Sequence, residues 1–362
     1  MDPKEKNKTA YKVTGLMSGT SLDGVDIAFC TFNLKNGEWI YTIEKTETIP
    51  YPADWKSRLS DLENRSALEF VKTDAEYGHY LGKIVKAFHM NHNLKPDFIA
   101  SHGHTIFHQP GSKFTSQIGK GSAIAAETGV PVVCDFRSTD VALGGQGAPL
   151  VPLGDQLLFN TYTYCLNLGG FANISYGKSG KRIAFDICPA NIVLNYLASF
   201  LDKDYDENGE SARKGILHQP LLEELNKLEF YHRPPPKSLG KEWVLSEVHP
   251  VLQLFSIPVE DKLRTFVEHI AEQVSRSVEP GETATLLMTG GGAFNDFLAE
   301  RIREKTRVAV IIPDPLTLNF KEALIFSFLG VLCWRGEVNC LKSVTGASHN
   351  NIGGAIYRAF PE

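Results

Sequence analysis

Gly15-Leu16-Met17-Ser18-Gly19-Thr20-Ser21-Leu22-Asp23-Gly24-Val25-Asp26-Ile27 decides how this chain is read. An apolar approach through Val13 and Leu16 runs into a Ser/Gly/Thr turn, and a second strand leaves with Val25, Ile27 and Phe29 alternating. A turn of this kind presents backbone N–H groups and the hydroxyls of Ser18, Thr20 and Ser21 to one point, with glycines permitting close approach. Asp23 and Asp26 add carboxylates suited to a hydrated Mg²⁺ or an ordered water. The parts are those of a phosphate-binding hairpin. The segment has neither the lysine and spacing of a Walker loop nor the G-x-G-x-x-G pattern. An ordinary Gly-rich hairpin turn is the plainer alternative, and the two aspartates on the outgoing strand argue against it.

The 362 residues suffice for two ordinary domains or one large one. Hydrophobic residues at 43% and charged residues at 22% are those of a soluble globular protein. A formal charge of -5 gives no reason to expect nucleic acid or an anionic membrane as partner. The polar start, Met1 to Lys8, offers no signal-peptide core, and no run is expected to reach the ~18 apolar residues of a membrane span. Six scattered cysteines without Cys-x-x-Cys read as thiols in a reducing compartment. The expectation is a cytoplasmic protein.

Further along, helical spacing predicts a helix from about Ser66 to Asn91, carried by Leu68, Val71, Tyr80, Leu81, Ile84, Val85 and Phe88. A short strand, Asp97 to Ser101, is expected to end at His102-Gly103-His104, and another, Val130 to Cys134, at Asp135-Phe136-Arg137. Polar groups at such strand ends are where open α/β sheets bind ligands. Gly144 to Pro152 reads as a domain crossing. Leu166-Asn167-Leu168-Gly169-Gly170-Phe171-Ala172-Asn173-Ile174 then repeats the layout of the opening hairpin, as a fold of two related halves would. A strand from about Arg182 to Phe185 leads to Asp186, and a helix is expected from Pro189 or Ala190 to Leu201. Leu263 to Val278 reads as an amphipathic helix, Leu286 to Asn295 as strand, glycine turn and helix start, and Lys321 to Trp334 as a buried helix. Asp202–Lys214 and His232–Gly240 read as loops. The glycine turns near 19, 169 and 291 suit a nucleoside triphosphate, two hairpins for its phosphates and the turn Gly290-Gly291-Gly292 for its adenosine.

Met17 to Asp26 resembles the signature of the anhydro-N-acetylmuramic acid kinases, of the actin/hexokinase/Hsp70-like superfamily. The resemblance continues through Ser101-His102-Gly103-His104-Thr105, Asp135-Phe136-Arg137, Gly144 to Pro152, Asn167 to Ile174, Pro236-Lys237-Ser238, Gly290 to Asn295 and Lys321-Glu322-Ala323. It implies an α/β, two-lobed actin-like fold of duplicated ribonuclease-H-like domains with an interlobe cleft. The lobes are expected at residues 1–135 and 136–344, with the tail 345–362 packing back on the first. It further implies ATP and Mg²⁺, a homodimer, and 1,6-anhydro-N-acetylmuramic acid as substrate, hydrolysed at its bridge and phosphorylated at O6.

On this resemblance, Gly19, Thr20, Ser21, Leu22, Asp23, Gly24, Val25, Asp26, Gly169, Gly170, Gly290, Gly291 and Gly292 bind ATP, and Asp23 or Asp26 serves Mg²⁺. Asp186 matches the catalytic base, with a helix-capping aspartate as its structural alternative. Arg137, Glu322, His102 and Asn173 match substrate-binding positions. For Arg137 the structural alternative is an ion pair with Asp135 or Asp140. The chain departs from the family where Asp-Thr-Gly-Pro-Gly-Asn is common, reading Asp186-Ile187-Cys188-Pro189-Ala190-Asn191, and at His104, where glutamine is usual. His102 and His104, alternate residues of one strand, would share a face and with His108 permit metal chelation, but no carboxylate or cysteine lies near them in sequence and the resemblance accounts for His102 and His108 without a metal. A kinase for another sugar and a nucleotide-gated, non-catalytic module are the competing readings.

Overall fold

The computed structural model describes residues 8–19, 22–281 and 283–360. Thr20 and Ser21, assigned above to the phosphate turn, lie outside the described residues. In chain order the strands are β1 (Ala10–Ser18), β2 (Gly24–Lys35), β3 (Glu38–Pro50), β4 (Phe98–Gln109), β5 (Phe114–Ile118), β6 (Val132–Cys134), β7 (Tyr164–Leu168), β8 (Phe171–Lys178), β9 (Lys181–Pro189), β10 (Thr285–Thr289), β11 (Ala309–Ile311) and β12 (Ala355–Tyr357). The chain forms two units, Met1–Leu158 with Phe320–Glu362, and Phe159–Asn319.

The first unit holds a sheet in the order β12-β6-β4-β1-β2-β3, with β5 paired to β4. The second holds β11-β10-β7-β8-β9. In each, three antiparallel strands (β1–β3, β7–β9) form a meander, and two later strands extend the sheet parallel to its first strand. The two sheets thus share the order and direction of these five strands.

The first unit takes in residues 136–158 and 320–344, which the sequence reading placed in the second lobe. Asp140 explains much of this. Its buried carboxylate accepts from Gly147 N, Thr345 Oγ1, Asn351 Nδ2 and Cys340 Sγ, tying the Gly-rich segment to the C-terminal part of the chain. A buried ion pair of 2.8 Å, Lys321 with Asp155, joins helix Pro315–Arg335 to helix Val151–Leu158. Removing one partner of such a pair costs ~3–5 kcal/mol.

Helix Ala67–His92 begins at a capping box between Ser66 and Glu69 and stops at Asn93, which is left-handed. Its buried stripe is Tyr77, Leu81, Val85 and Phe88, whereas Leu68 and Val71 are exposed in its first turns. Helix Val259–Arg276 buries Leu263, Phe266, Val267, Ile270 and Val274 against the second sheet's core. Each such side chain is worth ~1.5–3 kcal/mol of apolar burial. Helix Pro315–Arg335 is long and apolar enough to cross a membrane by length and composition, against expectation, and is largely buried. Gly15 admits it to the sheet: a Cβ there would lie 2.2 Å from the Ala323 carbonyl.

Several boundaries moved. β4 continues through the histidines to Gln109, because β5 pairs with that extension. β9 runs to Pro189, so Asp186 lies within a strand and the next helix is Asn191–Ser199. Asp202–Lys214 contains the short helices Glu207–Gly209 and Glu210–Lys214, where Asp206 accepts the N–H groups of Ser211 and Ala212.

Candidate active site

In the first unit, β1 and β2 pair from Ala10↔Asn33 to Met17↔Asp26 and deliver Gly19, Leu22, Asp23 and Gly24 to one turn. Leu22 takes a left-handed φ of 60°, uncommon without glycine's freedom. Gly24 is required by close packing, since a Cβ would lie 2.4 Å from the Ile49 carbonyl. Val25 is buried beneath the turn and Asp23 is exposed. The Ser18 hydroxyl does not join the turn's donors. It is buried and hydrogen-bonded to Tyr51 Oη at 2.6 Å and His104 Nδ1 at 2.8 Å.

Asp26 accepts from Thr48 Oγ1 at 2.6 Å. Burial raises its carboxyl above the ordinary aspartate value, the Thr48 bond opposes the rise, and Asp23 adds to it. Glu322, on helix Pro315–Arg335, is exposed. Desolvation raises its carboxyl, Arg137 pulls it down and Asp26 pushes it up. Arg137 and Asp26 thus act on Glu322 in opposite directions.

Arg137 follows β6 after the left-handed Asp135. Its Nε and Nη2 donate to one atom, His102 Nε2, at 3.0 and 2.8 Å, and Nη1 donates to the Gly147 carbonyl at 2.6 Å. Neither aspartate weighed as its partner takes that place: Asp135 accepts from Ser138, and Asp140 from the donors named above. Burial lowers the guanidinium to about 10, with Glu322 acting in the opposite direction. His102 must be neutral to accept. Its Nδ1 lies 2.8 Å from the Gly103 carbonyl and so carries the proton, and burial followed by the charge of Arg137 holds it well below the usual range. His102 therefore holds the arginine.

His102 packs on Phe326, whereas His104 packs edge-on against Tyr77. The intervening Gly103 is left-handed at φ 74°, and the β1–β4 register shifts there, so the two rings do not share a face as regular alternation would give. His108 Nδ1 bonds Thr115. Each ring has its own partner, and among the described residues no group of three potential metal ligands converges.

In the second unit, two of the expected glycine turns meet. A Cβ on Gly290, whose φ is 86°, would lie 2.6 Å from Asn167 Oδ1 and 2.8 Å from the Leu168 carbonyl. One on Gly292 would lie 2.8 Å from Leu168 Cβ. Ala190 N and Asn191 N donate to the carbonyls of Gly170 and Gly169, and Asn191 Nδ2 to that of Leu168. Beside Gly291 opens a cavity of about 480 Å³, lined also by Asn191, Tyr205, Asn208 and Phe294, a volume usual for small-molecule sites.

Asp186 stands opposite Asn173 across β8 and β9, with Ile187 bulged out of the register. Its N–H donates to the Lys237 carbonyl at 3.0 Å, and its Oδ2 accepts from Leu239 N at 2.8 Å. It caps no helix. Burial raises its carboxyl above the ordinary value, against the Leu239 bond. Ile187, Cys188 and Ala190, where the sequence reading noted a departure from the resembled pattern, are buried core. They pack in the core rather than at an exposed surface. Tyr51, Tyr77, Thr48, Gly147 and Leu239 were not foreseen as site residues, since only the fold brings them to it.

The family model described as AnmK, anhydro-N-acetylmuramic acid kinase, matches residues 11–359. A protein of Sulfurovum sp. (strain NBC37-1) with that name is 36% identical, covering 97% of this chain and 99% of its own. Relatives of the same name from Vibrio cholerae and Pasteurella multocida are each 35% identical, covering 95% and 97% of this chain and 97% and 98% of their own. The class defined is a phosphotransferase, an enzyme. The chain belongs to the anhydro-N-acetylmuramic acid kinase family.

Proposed function

We propose that the chain carries out the family's reaction in peptidoglycan recycling. It opens the bridge of 1,6-anhydro-N-acetylmuramic acid with water and transfers a phosphoryl group from ATP to O6, giving N-acetylmuramic acid 6-phosphate and ADP. The observation that carries the residue assignment is Asp186: a desolvated carboxylate held at both its amide and its side chain by one loop. Asp186 takes the proton from a water that attacks the anomeric carbon. The bond from that carbon to the bridge oxygen breaks, and the freed oxygen, still on C6, attacks the γ-phosphorus.

Arg137, tethered on one edge by His102, offers its remaining N–H groups to the lactyl carboxylate, and Glu322 accepts from a sugar hydroxyl. Asn173 orients substrate beside Asp186. The turn Gly19–Asp26 and the turn Gly169–Gly170 hold phosphates, and the cavity at Gly291 receives the adenosine. The carboxylates of Asp23 and Asp26 fit a hydrated Mg²⁺: one is exposed at the turn and the other is desolvated near Glu322, so a cation would relieve their repulsion. Bound there, Mg²⁺ would offset charge on the phosphates. The actin-like superfamily, with each unit a ribonuclease-H-like domain, accords with the repeated strand order. A homodimer and a cytoplasmic location belong to the same reading.

ADP release with and without the anhydro sugar tests the proposal. Sugar-dependent release is expected, and slow release indifferent to sugar would favour a nucleotide-gated module.

A further inference from the structure

Four buried side chains of the first unit form a hydrogen-bonded chain that the reaction above does not use. Tyr77 Oη bonds Tyr51 Oη, Tyr51 Oη bonds Ser18 Oγ at 2.6 Å, and Ser18 Oγ bonds His104 Nδ1 at 2.8 Å. All four residues are buried. They come from helix Ala67–His92, the segment after β3, the last residue of β1, and β4. Tyr51 also fixes the outgoing side of the hairpin, because its N–H donates to the Asp23 carbonyl.

The protons order this chain. If Tyr77 donates to Tyr51, Tyr51 to Ser18 and Ser18 to His104 Nδ1, every hydroxyl proton has an acceptor. Run the other way, the proton of Tyr77 has no further acceptor in this chain of bonds, which is costly. His104 therefore accepts as a neutral ring, and the single Ser18 proton is spent inward.

We propose that Ser18, clamped by His104 and Tyr51, is a positioning residue that fixes the ends of β1 and β2 so that the intervening turn meets the nucleotide phosphates. The proposal rests on the nucleotide reading given above. Ser18 is the residue from which the turn springs, and Tyr51 holds the turn's far end at Asp23. One hydrogen-bonded pair thus sets both ends of a turn in which Leu22 already takes an uncommon conformation.

The test compares the native protein with Ser18→Ala, Tyr51→Phe, His104→Ala and His104→Asn, the last because an Asn amide oxygen replaces the imidazole Nδ1. For each, kcat, the KM for ATP, the KM for the anhydro sugar, the Kd for ADP and Tm are measured. The first three variants are expected to raise the KM for ATP and the Kd for ADP about threefold to tenfold, the scale of one lost hydrogen bond. The KM for sugar should stay within about twofold, and His104→Asn should recover most of the loss. Unchanged nucleotide constants in folded Ser18→Ala or Tyr51→Phe would overturn the proposal, as would equal losses in His104→Ala and His104→Asn. Should His104→Ala not fold, the Ser18 and Tyr51 variants decide alone. Native protein that binds no ADP would overturn the nucleotide reading as well, whereas native binding with unaltered variants would overturn only this inference.

Discussion

Arg137 directs two N–H groups, Nε and Nη2, at the single Nε2 of His102, at 3.0 and 2.8 Å. The contact fixes the histidine as the neutral Nδ1–H tautomer and aims the guanidinium. His102→Ala should therefore raise the KM for the sugar about tenfold, with a smaller fall in kcat, and Arg137→Lys should lower kcat/KM about a hundredfold by losing the planar fork. Steady-state kinetics check both values. Nitrogen-15 shifts of His102 at neutral pH should show Nδ1 protonated, and an Nε2–H signal would contradict the arrangement.

Asp186→Asn should lower turnover about a thousandfold or more while ADP still binds, since only the proton acceptor is lost. Burial raises the Asp186 carboxyl above the ordinary value, and the ionised form is the active base. kcat/KM should then fall as pH drops through that raised value, giving an acid limb displaced upward from a free aspartate. Near-normal turnover in Asp186→Asn would remove Asp186 as base.

Gly290→Ala places a methyl against Asn167 and Leu168 at a φ of 86°. The expected cost is ~1–3 kcal/mol, read as a lower Tm, with weaker ADP binding. Gly177→Ala, where no atom of the described residues lies within 4 Å of the added methyl, serves as the control and should bind ADP normally. Equal effects at both positions would contradict the role given to the Gly290 turn.

His89, His104 and His269 are held low by burial, to about 4, about 4 and about 3, against an ordinary 6.5. The unfolded chain takes up their protons first, so their contribution is whole above pH 6.5 and is lost as pH falls toward 4. The slope is at most ~1.4 kcal/mol per pH unit for each group. Urea midpoints should fall from pH 6.5 to 4.5, and His89→Gln should flatten the fall. A midpoint independent of pH over that window would contradict it.

Much of this was legible in the sequence because the signals are local. The β1–β2 hairpin, the periodic helices and the three glycine turns follow from alternation, helical spacing and glycine placement. Strand ends were less legible. β4 and β9 run past His102 and Asp186 because β5 and β8 pair with them, a non-local fact. The orientations of His102 and His104 turn on one left-handed glycine that alternation cannot register. The inward turn of Ser18 depends on Tyr51, 33 residues away. The division of the chain could not be read from Gly144 to Pro152, because the burial of Asp140 among distant donors decides where that segment packs.

The central claim is a coupled hydrolysis and phosphoryl transfer, and the most direct measurement is the reaction of ATP and 1,6-anhydro-N-acetylmuramic acid in ¹⁸O-labelled water. Mass spectrometry of the phosphorylated product should place one label at the anomeric oxygen and none in the phosphoryl group. A phosphorylated sugar without label at that carbon would contradict the account and leave simple kinase chemistry in its place.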